Sequence, residues 1–221
     1  MDFFVGRNMW TDALILNHHY SHRLPAGVCL VVSARVKNKP VATCYFTSLS
    51  MGHWSESVIE LIRLVKKDGI KLNLTQLISY GMKHLKKKHN LVISYADFSQ
   101  HHHGGIYQAC SWNFHDKRNK RLEGYVVDGD YIPTRNYNQT LIKKYGTCSL
   151  NTIKDNPNIK PVYGEGKFLY WKALNKQGIQ KAKRLGLQSN PYPKPGKIKT
   201  DRLIYTQEPK RKENKNLQKL F

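Results

Sequence analysis

Residues 58–97, VIELIRLVKKDGIKLNLTQLISYGMKHLKKKHNLVISYAD, decide the fold. Val58 to Val65 reads as a buried strand that carries two charges, Glu60 and Arg63. Leu74 to His89 is the clearest helix of the chain, because Leu74, Leu77, Ile78, Met82 and Leu85 recur at spacings of three or four and give one apolar face. Asn73 is placed to cap its start. Lys83, Lys86, Lys87, Lys88 and His89 crowd its end, where cations suit the helix macrodipole. Leu91 to Ala96 is a second strand, ended by Asp97.

Outward from this core, Thr11 to Tyr20 reads as a short helix with Thr11 as cap, followed by a loop from Ser21 to Gly27. Val28 to Val36 and Val41 to Ser48 are strand-like runs flanking Lys37-Asn38-Lys39-Pro40, a hairpin signal. Downstream, the Gly104-Gly105 break precedes a short helix from Ile106 to Trp112, and Leu122 to Val127 and Phe168 to Leu174 are late strands. Hairpin, strand, helix, strand and further strands make an α/β domain with a mixed sheet flanked by helices, expected over residues 1–193. Residues 194–221, rich in Lys, Pro, Asn and Gln, read as a basic, extended C-terminal extension.

The charge balance points to a polyanion. Lys and Arg total 37 against 15 Asp and Glu, a formal net charge of +22. Such an excess repels itself unless a partner neutralises it, and each phosphate contact with nucleic acid releases condensed counterions. The longest apolar runs are strand-sized, and no signal peptide is legible, so a soluble protein without a membrane partner is expected. The four cysteines, Cys29, Cys44, Cys110 and Cys148, lie far apart and read as reduced thiols of a cytoplasmic protein.

Three polar clusters carry the chemistry: His18-His19-Tyr20-Ser21-His22-Arg23, Tyr95-Ala96-Asp97, and Gln100-His101-His102-His103-Gly104-Gly105-Ile106-Tyr107-Gln108. Such residues suit metal ligation, proton transfer or contacts to base edges. A solvated loop or a turn-capping Asp would look the same in sequence. The order of elements also fits the GNAT acyltransferase fold, in which the N-terminus of a central helix holds the pyrophosphate of coenzyme A. Here Lys66, Lys67, Lys71 and Asn73 of the KKDGIKLN loop are the candidates for that role, without the usual Arg/Gln-x-x-Gly-x-Gly/Ala pattern.

Five elements resemble the Mom family of phage DNA-modification proteins. They are Tyr20-Ser21-His22-Arg23-Leu24-Pro25, Glu60-Leu61-Ile62-Arg63-Leu64, Ser94-Tyr95-Ala96-Asp97, Gly104-Gly105-Ile106-Tyr107-Gln108-Ala109-Cys110-Ser111-Trp112, and Phe168-Leu169-Tyr170-Trp171 followed by Pro191-Tyr192-Pro193-Lys194. The resemblance implies a GNAT-like fold and conversion of adenine in duplex DNA to N6-carbamoylmethyladenine, in the host-cell cytoplasm, as protection against restriction. It implies catalytic roles for His19, Tyr20, Arg63, Asp97 and Tyr107. It also implies an iron site at His19, Tyr20, Asp97 and Tyr107, with His102 a further candidate ligand. Relatives commonly show Asp-Pro where this chain has Asp97-Phe98, and Gln-Gly-His where it has Gln100-His101-His102.

In this reading Arg23, Tyr95, Trp112, Lys86, Lys87 and Lys88 contact DNA, the aromatics by stacking. The donor is acetyl-CoA or another acyl or aminoacyl carrier, with tRNA a second partner if the donor is aminoacyl-tRNA. Two rivals stand beside it: a GNAT acyltransferase acting on a protein, small molecule or RNA, and a basic DNA-binding protein without catalysis.

Overall fold

The computed structural model describes residues 1–49, 57–97, 100, 102–118, 122–146, 156–164 and 166–194, with the side chains at 135 and 136 left out. The extension beyond Lys194, His101 and Cys148 lie outside the described residues. The chain forms two compact units. The first comprises Met1–Ala96, His103–Asp116 and the residues from Leu169; the second comprises Asp97–His102 and Lys117–Phe168.

A seven-stranded mixed sheet runs in the order β1-β2-β3-β4-β5-β10-β6. Its strands are β1 (Asp2–Val5), β2 (Val28–Val36), β3 (Lys39–Ser48), β4 (Val58–Lys66), β5 (Leu91–Asp97), β6 (Asn113–Arg118) and β10 (Lys167–Ala173). β1 to β4 pair antiparallel. The β2–β3 turn is tighter than expected: Lys37 and Asn38 both take positive φ, 48° and 65°, so Lys39 and Pro40 already belong to β3. Two such residues give the left-handed two-residue turn whose twist matches the flanking strands.

The segment 58–97 folds largely as read. Helix α2 (Leu74–Leu85) starts at Asn73, whose side chain accepts from the Thr75 amide at 3.0 Å, and it stops before the lysine run. β4 and β5 are parallel, as a strand–helix–strand crossover requires. Helix α1 spans Met9–His18, two residues earlier than expected. Asn8, not Thr11, is the cap, and Thr11 returns the bond to the Asn8 amide as the third residue of a capping box.

Helices cover both faces of the sheet. Leu14 and Ile15 of α1 pack with Val31, Tyr45 and Val65. On the same face, Ala182 of the helix Lys176–Arg184 packs with Val58, Leu91, Ile93, Leu169 and Trp171. Gly81 lets α2 approach the other face, where a Cβ would lie 2.8 Å from the Phe46 ring and 3.1 Å from Val32. The short helix α3 is Gly105–Ala109, and no helix of the described residues is long and apolar enough to cross a membrane.

The second unit has its own three-stranded sheet, β8-β7-β9, from β7 (Leu122–Val127), β8 (Asp130–Pro133) and β9 (Ile159–Tyr163). Helix α4 (Thr134–Tyr145) closes a small core of Val127, Ile132, Tyr137, Leu141 and Ile159. Tyr125 stacks on Tyr137 at 3.9 Å between ring centroids. The last helix, Lys176–Arg184, is α5.

Phe46 and Val32 are fully buried and have nowhere to retreat. Gly81→Leu is therefore expected to destabilise the fold by about 1–3 kcal/mol, read as a lower midpoint in urea unfolding.

Candidate functional site

The site begins where two strands part. The β4–β5 pairing runs from Val58/Leu91 to Glu60/Ile93, yet β4 continues to Lys66 and β5 to Asp97. One residue past the last pair, the Ser94 hydroxyl takes over from the backbone ladder. It lies 2.6 Å from the Leu61 carbonyl oxygen and 2.7 Å from the Tyr107 phenol oxygen. Serine has one proton for these two neighbours, and the carbonyl can only accept. Both contacts are satisfied when Ser94 donates to Leu61 and the Tyr107 hydroxyl donates to Ser94.

β4 is distorted at the same level. Its register with β3 slips between Tyr45↔Arg63 and Phe46↔Leu61, leaving Ile62 as the extra residue of a bulge. Arg63 manages the consequences. Its Nη1 donates to the Ile62 carbonyl at 2.9 Å and its Nε to the Arg23 carbonyl at 3.3 Å, tying β4 to the loop after α1. Arg63 is thus a strut between backbone segments, while the Arg23 side chain is exposed.

That loop carries His19 and Tyr20. His19 is buried, and its Nδ1 accepts from the Ser21 amide at 3.1 Å with the Ser21 hydroxyl 2.9 Å away. Its ring lies 4.4 Å from that of Tyr20, which is 45% exposed. His22 holds the turn at φ 45° with Nδ1 on the Leu16 carbonyl at 2.8 Å.

Tyr107 is 8% exposed, and burial pushes its phenol well above the ordinary tyrosine value, with the charges of Tyr20 and Glu60 adding to it. The same electrostatics mark Tyr20 and Glu60 as its neighbours. The first unit therefore sets Tyr107 in contact with Ser94 and within electrostatic range of Tyr20 and Glu60. Glu60 and Ser94 were not among the residues singled out for chemistry. A carboxylate inside an otherwise apolar strand was the signal for Glu60.

The motif 104–112 is held by a residue sixty positions on. Gly104 has φ 83°, and a Cβ there would sit 2.2 Å from the Tyr170 ring. The Tyr170 hydroxyl donates to the His103 carbonyl at 2.6 Å and accepts from Gln108 Nε2 at 3.0 Å. Tyr107 packs between Trp112 and Tyr170, with centroids 5.3 and 5.2 Å away.

Several expected roles need correction. Trp112 is 0% exposed and serves the core, so it cannot stack on a base. Tyr95 is half-buried against the Leu91–Leu169 cluster. Asn73 caps α2 through its side-chain oxygen, as expected, so only its amide nitrogen could serve a phosphate. Lys86, Lys87 and Lys88, expected to contact DNA, are exposed as that role needs, and they lead into the start of β5. A helix that precedes a strand runs against it, so its C-terminus lies at the end of the sheet away from Ser94. The charges of Lys67 and Asp68 act on exposed His18 at the end of α1, whose pKa is lowered chiefly by burial. Lys71 is exposed.

Asp97 belongs to the second unit, where its carboxylate lies 3.4 Å from Lys167 Nζ. Glu123 shares this neighbourhood; burial raises its pKa, Lys167 lowers it, and Asp97 raises it again. The backbone of exposed His102 donates to the Asp97 carbonyl at 3.2 Å.

The expected iron site is not supported by these residues. A buried neutral phenol is a poor tyrosinate, His19 Nδ1 is already an acceptor, and Asp97 is neutralised by an ammonium. Among the described residues no three His, Cys, Asp or Glu side chains group as metal ligands.

The comparisons follow this geometry. The family model described as the Mom protein family matches residues 8–194, a span that contains every residue of the site. The chain belongs to the Mom family. No curated protein matches it. Among solved structures, this Mom-family chain is similar to a Bacillus subtilis acetyltransferase in complex with CoA, at 12% identity over 78% of this chain and 98% of that one, TM-score 0.43. It is similar to an aminoglycoside 6'-N-acetyltransferase from Enterococcus faecium, at 10% identity over 79% and 98%, TM-score 0.44. A GNAT family acetyltransferase from Elizabethkingia anophelis with acetyl-CoA bound matches at 10% identity over 77% and 97%, TM-score 0.41. The mixed sheet flanked by helices, with its parallel β4–α2–β5 crossover, is the α/β architecture the sequence led us to expect.

Ser94→Ala removes the partner of a buried carbonyl and a buried phenol, and is expected to cost about 1–3 kcal/mol in chemical denaturation. The raised pKa of Tyr107 means that the folded state resists an ionisation the unfolded chain allows. Its contribution is fully present below the ordinary value near 10 and is lost as pH rises above it. Tyr107→Phe should therefore flatten the fall of thermal stability on the alkaline side of pH 10, measured against wild type.

Proposed function

We propose that this protein is a DNA-modifying transferase that converts adenine in duplex DNA to N6-carbamoylmethyladenine and so shields phage DNA from host restriction. The observation that carries this reading is the Mom family match over residues 8–194, supported by the contact of its motif residues Ser94 and Tyr107 within electrostatic range of Tyr20 and Glu60 in the first unit.

The chemistry is demanding. The adenine amine lies inside the base pair, so the base is extruded at a cost of a few kcal/mol. Its lone pair is delocalised into the ring, which makes it a weak nucleophile. In the transfer, N6 bonds to a donor carbon, that carbon leaves its carrier, and N6 gives up one proton. Tyr107, its own proton directed at Ser94, offers its oxygen as an acceptor that orients an N–H. Tyr20, exposed beside His19, stacks on the extruded base, worth roughly 1–3 kcal/mol.

Asp97 takes the proton in the reading the family resemblance gives; Glu60 is the carboxylate that neighbours Tyr107. Lys66, Lys67 and Lys71, flanking the start of α2, bind the phosphates of a CoA-type or tRNA-borne donor.

Nucleoside mass spectrometry of DNA from cells expressing the protein tests this directly. Carbamoylmethyladenine is expected with wild type and is expected to vanish with Tyr107→Phe and Asp97→Asn while DNA binding persists. Full modification by both variants would remove these residues from the mechanism. Acetylated protein without modified adenine would favour the GNAT acyltransferase, and intact binding with no modified base the non-catalytic DNA-binding protein.

A further inference from the structure

We infer that the end of the first unit's sheet where α2 runs into β5 and β10 runs into α5 docks the phosphate backbone of duplex DNA flanking the modified base. The choice of DNA rests on the reading of DNA as substrate; the surface itself does not. Residues 69–96 and 166–194 contain no Asp or Glu at all, and each is rich in lysine.

The structure knits these two acid-free segments together through one residue. Asn90 accepts from the Leu174 amide with its carbonyl and from Asn175 Nδ2 with its side chain, both at 2.8 Å. Gly178, in the first turn of α5, packs so close that a Cβ would meet the Asn90 carbonyl at 2.0 Å. Lys83, Lys86, Lys87 and Lys88 at the end of α2 and Lys176 at the start of α5 are thereby carried on one framework. All five are exposed, and among the described residues no carboxylate pairs with them. Two lysines elsewhere do meet carboxylates, Lys144 with Asp128 at 3.2 Å and Lys167 with Asp97 at 3.4 Å.

Helix stability explains only part of this arrangement. Cations at the C-terminal end of α2, Lys83 in its last turn and Lys86 at its cap, suit its dipole. Lys176 stands at the opposite pole, in the first turn of α5, where a carboxylate would be favoured and none is present. A cation at the wrong end of a helix, beside four more, is accounted for by an external anion. Along β5 the three residues from Leu91 to Ser94 set this surface about 10 Å from the Ser94 level, roughly three base pairs of duplex. It therefore meets DNA beside the extruded base, not the base itself.

The test compares two triple variants of the full chain by fluorescence anisotropy with a labelled duplex across a salt series. One is Lys86→Gln/Lys87→Gln/Lys176→Gln. The other, with the same net charge, is Lys37→Gln/Lys39→Gln/Lys143→Gln. Thermal unfolding of each verifies folding, which neither set should disturb because all six residues are exposed. The first variant should lower the slope of log K against log salt by about 0.9 for each phosphate contact removed, and the second should leave it nearly unchanged. Equal slopes in the two variants would overturn the proposal, and so would a loss seen with tRNA but not with the duplex. A protein that binds through this end yet forms no modified adenine would sink the proposed activity while leaving the surface standing.

Discussion

A single serine hydroxyl takes over where the sheet's own hydrogen bonding gives out. Beyond Glu60 and Ile93 the parallel strands β4 and β5 part, which exposes backbone carbonyls to a dry interior. Ser94 covers the Leu61 carbonyl, Arg63 covers that of Ile62, and Tyr107 is positioned as the third member of the chain. An unsatisfied buried carbonyl would cost about 1–3 kcal/mol, so these side chains are required by the parting of the strands itself. The groups assigned to chemistry are therefore the ones that hold the opening in place.

This explains which parts of the molecule were legible in its sequence. The β4–α2–β5 unit and the hairpin were readable because apolar spacing, the Asn73 cap and the 37–38 turn each leave a local mark. α5 left none: Gly178 and Ala182 are its buried residues, and a helix that packs through such small side chains looks like a solvated stretch. β1 is four residues long, and α4 starts behind Pro133 with a polar sequence, so neither shows a sustained period. The start of α1 was misplaced because Thr11 answers the cap at Asn8 instead of forming it.

The site was legible as a set of clusters but not as an arrangement. Tyr107 was marked by its motif, whereas its dependence on Ser94 is a contact between residues thirteen apart that no local pattern encodes. Trp112 was misjudged because an aromatic beside a candidate site reads equally well as a stacking platform or as core. Burial decides between them. The charge was legible as a total and as the lysine run that ends α2; its link to Lys176 became visible once Asn90 was seen to join the two acid-free segments.

The grip of Tyr170 on the 103–108 turn bears on how the molecule is made. β10, which carries Tyr170, lies between β5 and β6 in the sheet, although β6 precedes it in the chain. A ribosome that has just released residue 118 has delivered two strands whose shared neighbour does not yet exist. At about 5–20 residues per second, the wait for Tyr170 is on the order of several seconds. Through that interval Tyr107 and Phe114 lack the ring that completes their packing, and the open flank of β5 is an unpaired edge of the kind that invites association between nascent chains. A basic chain still being synthesised repels its own copies. The large positive charge thus also serves the protein before it is finished.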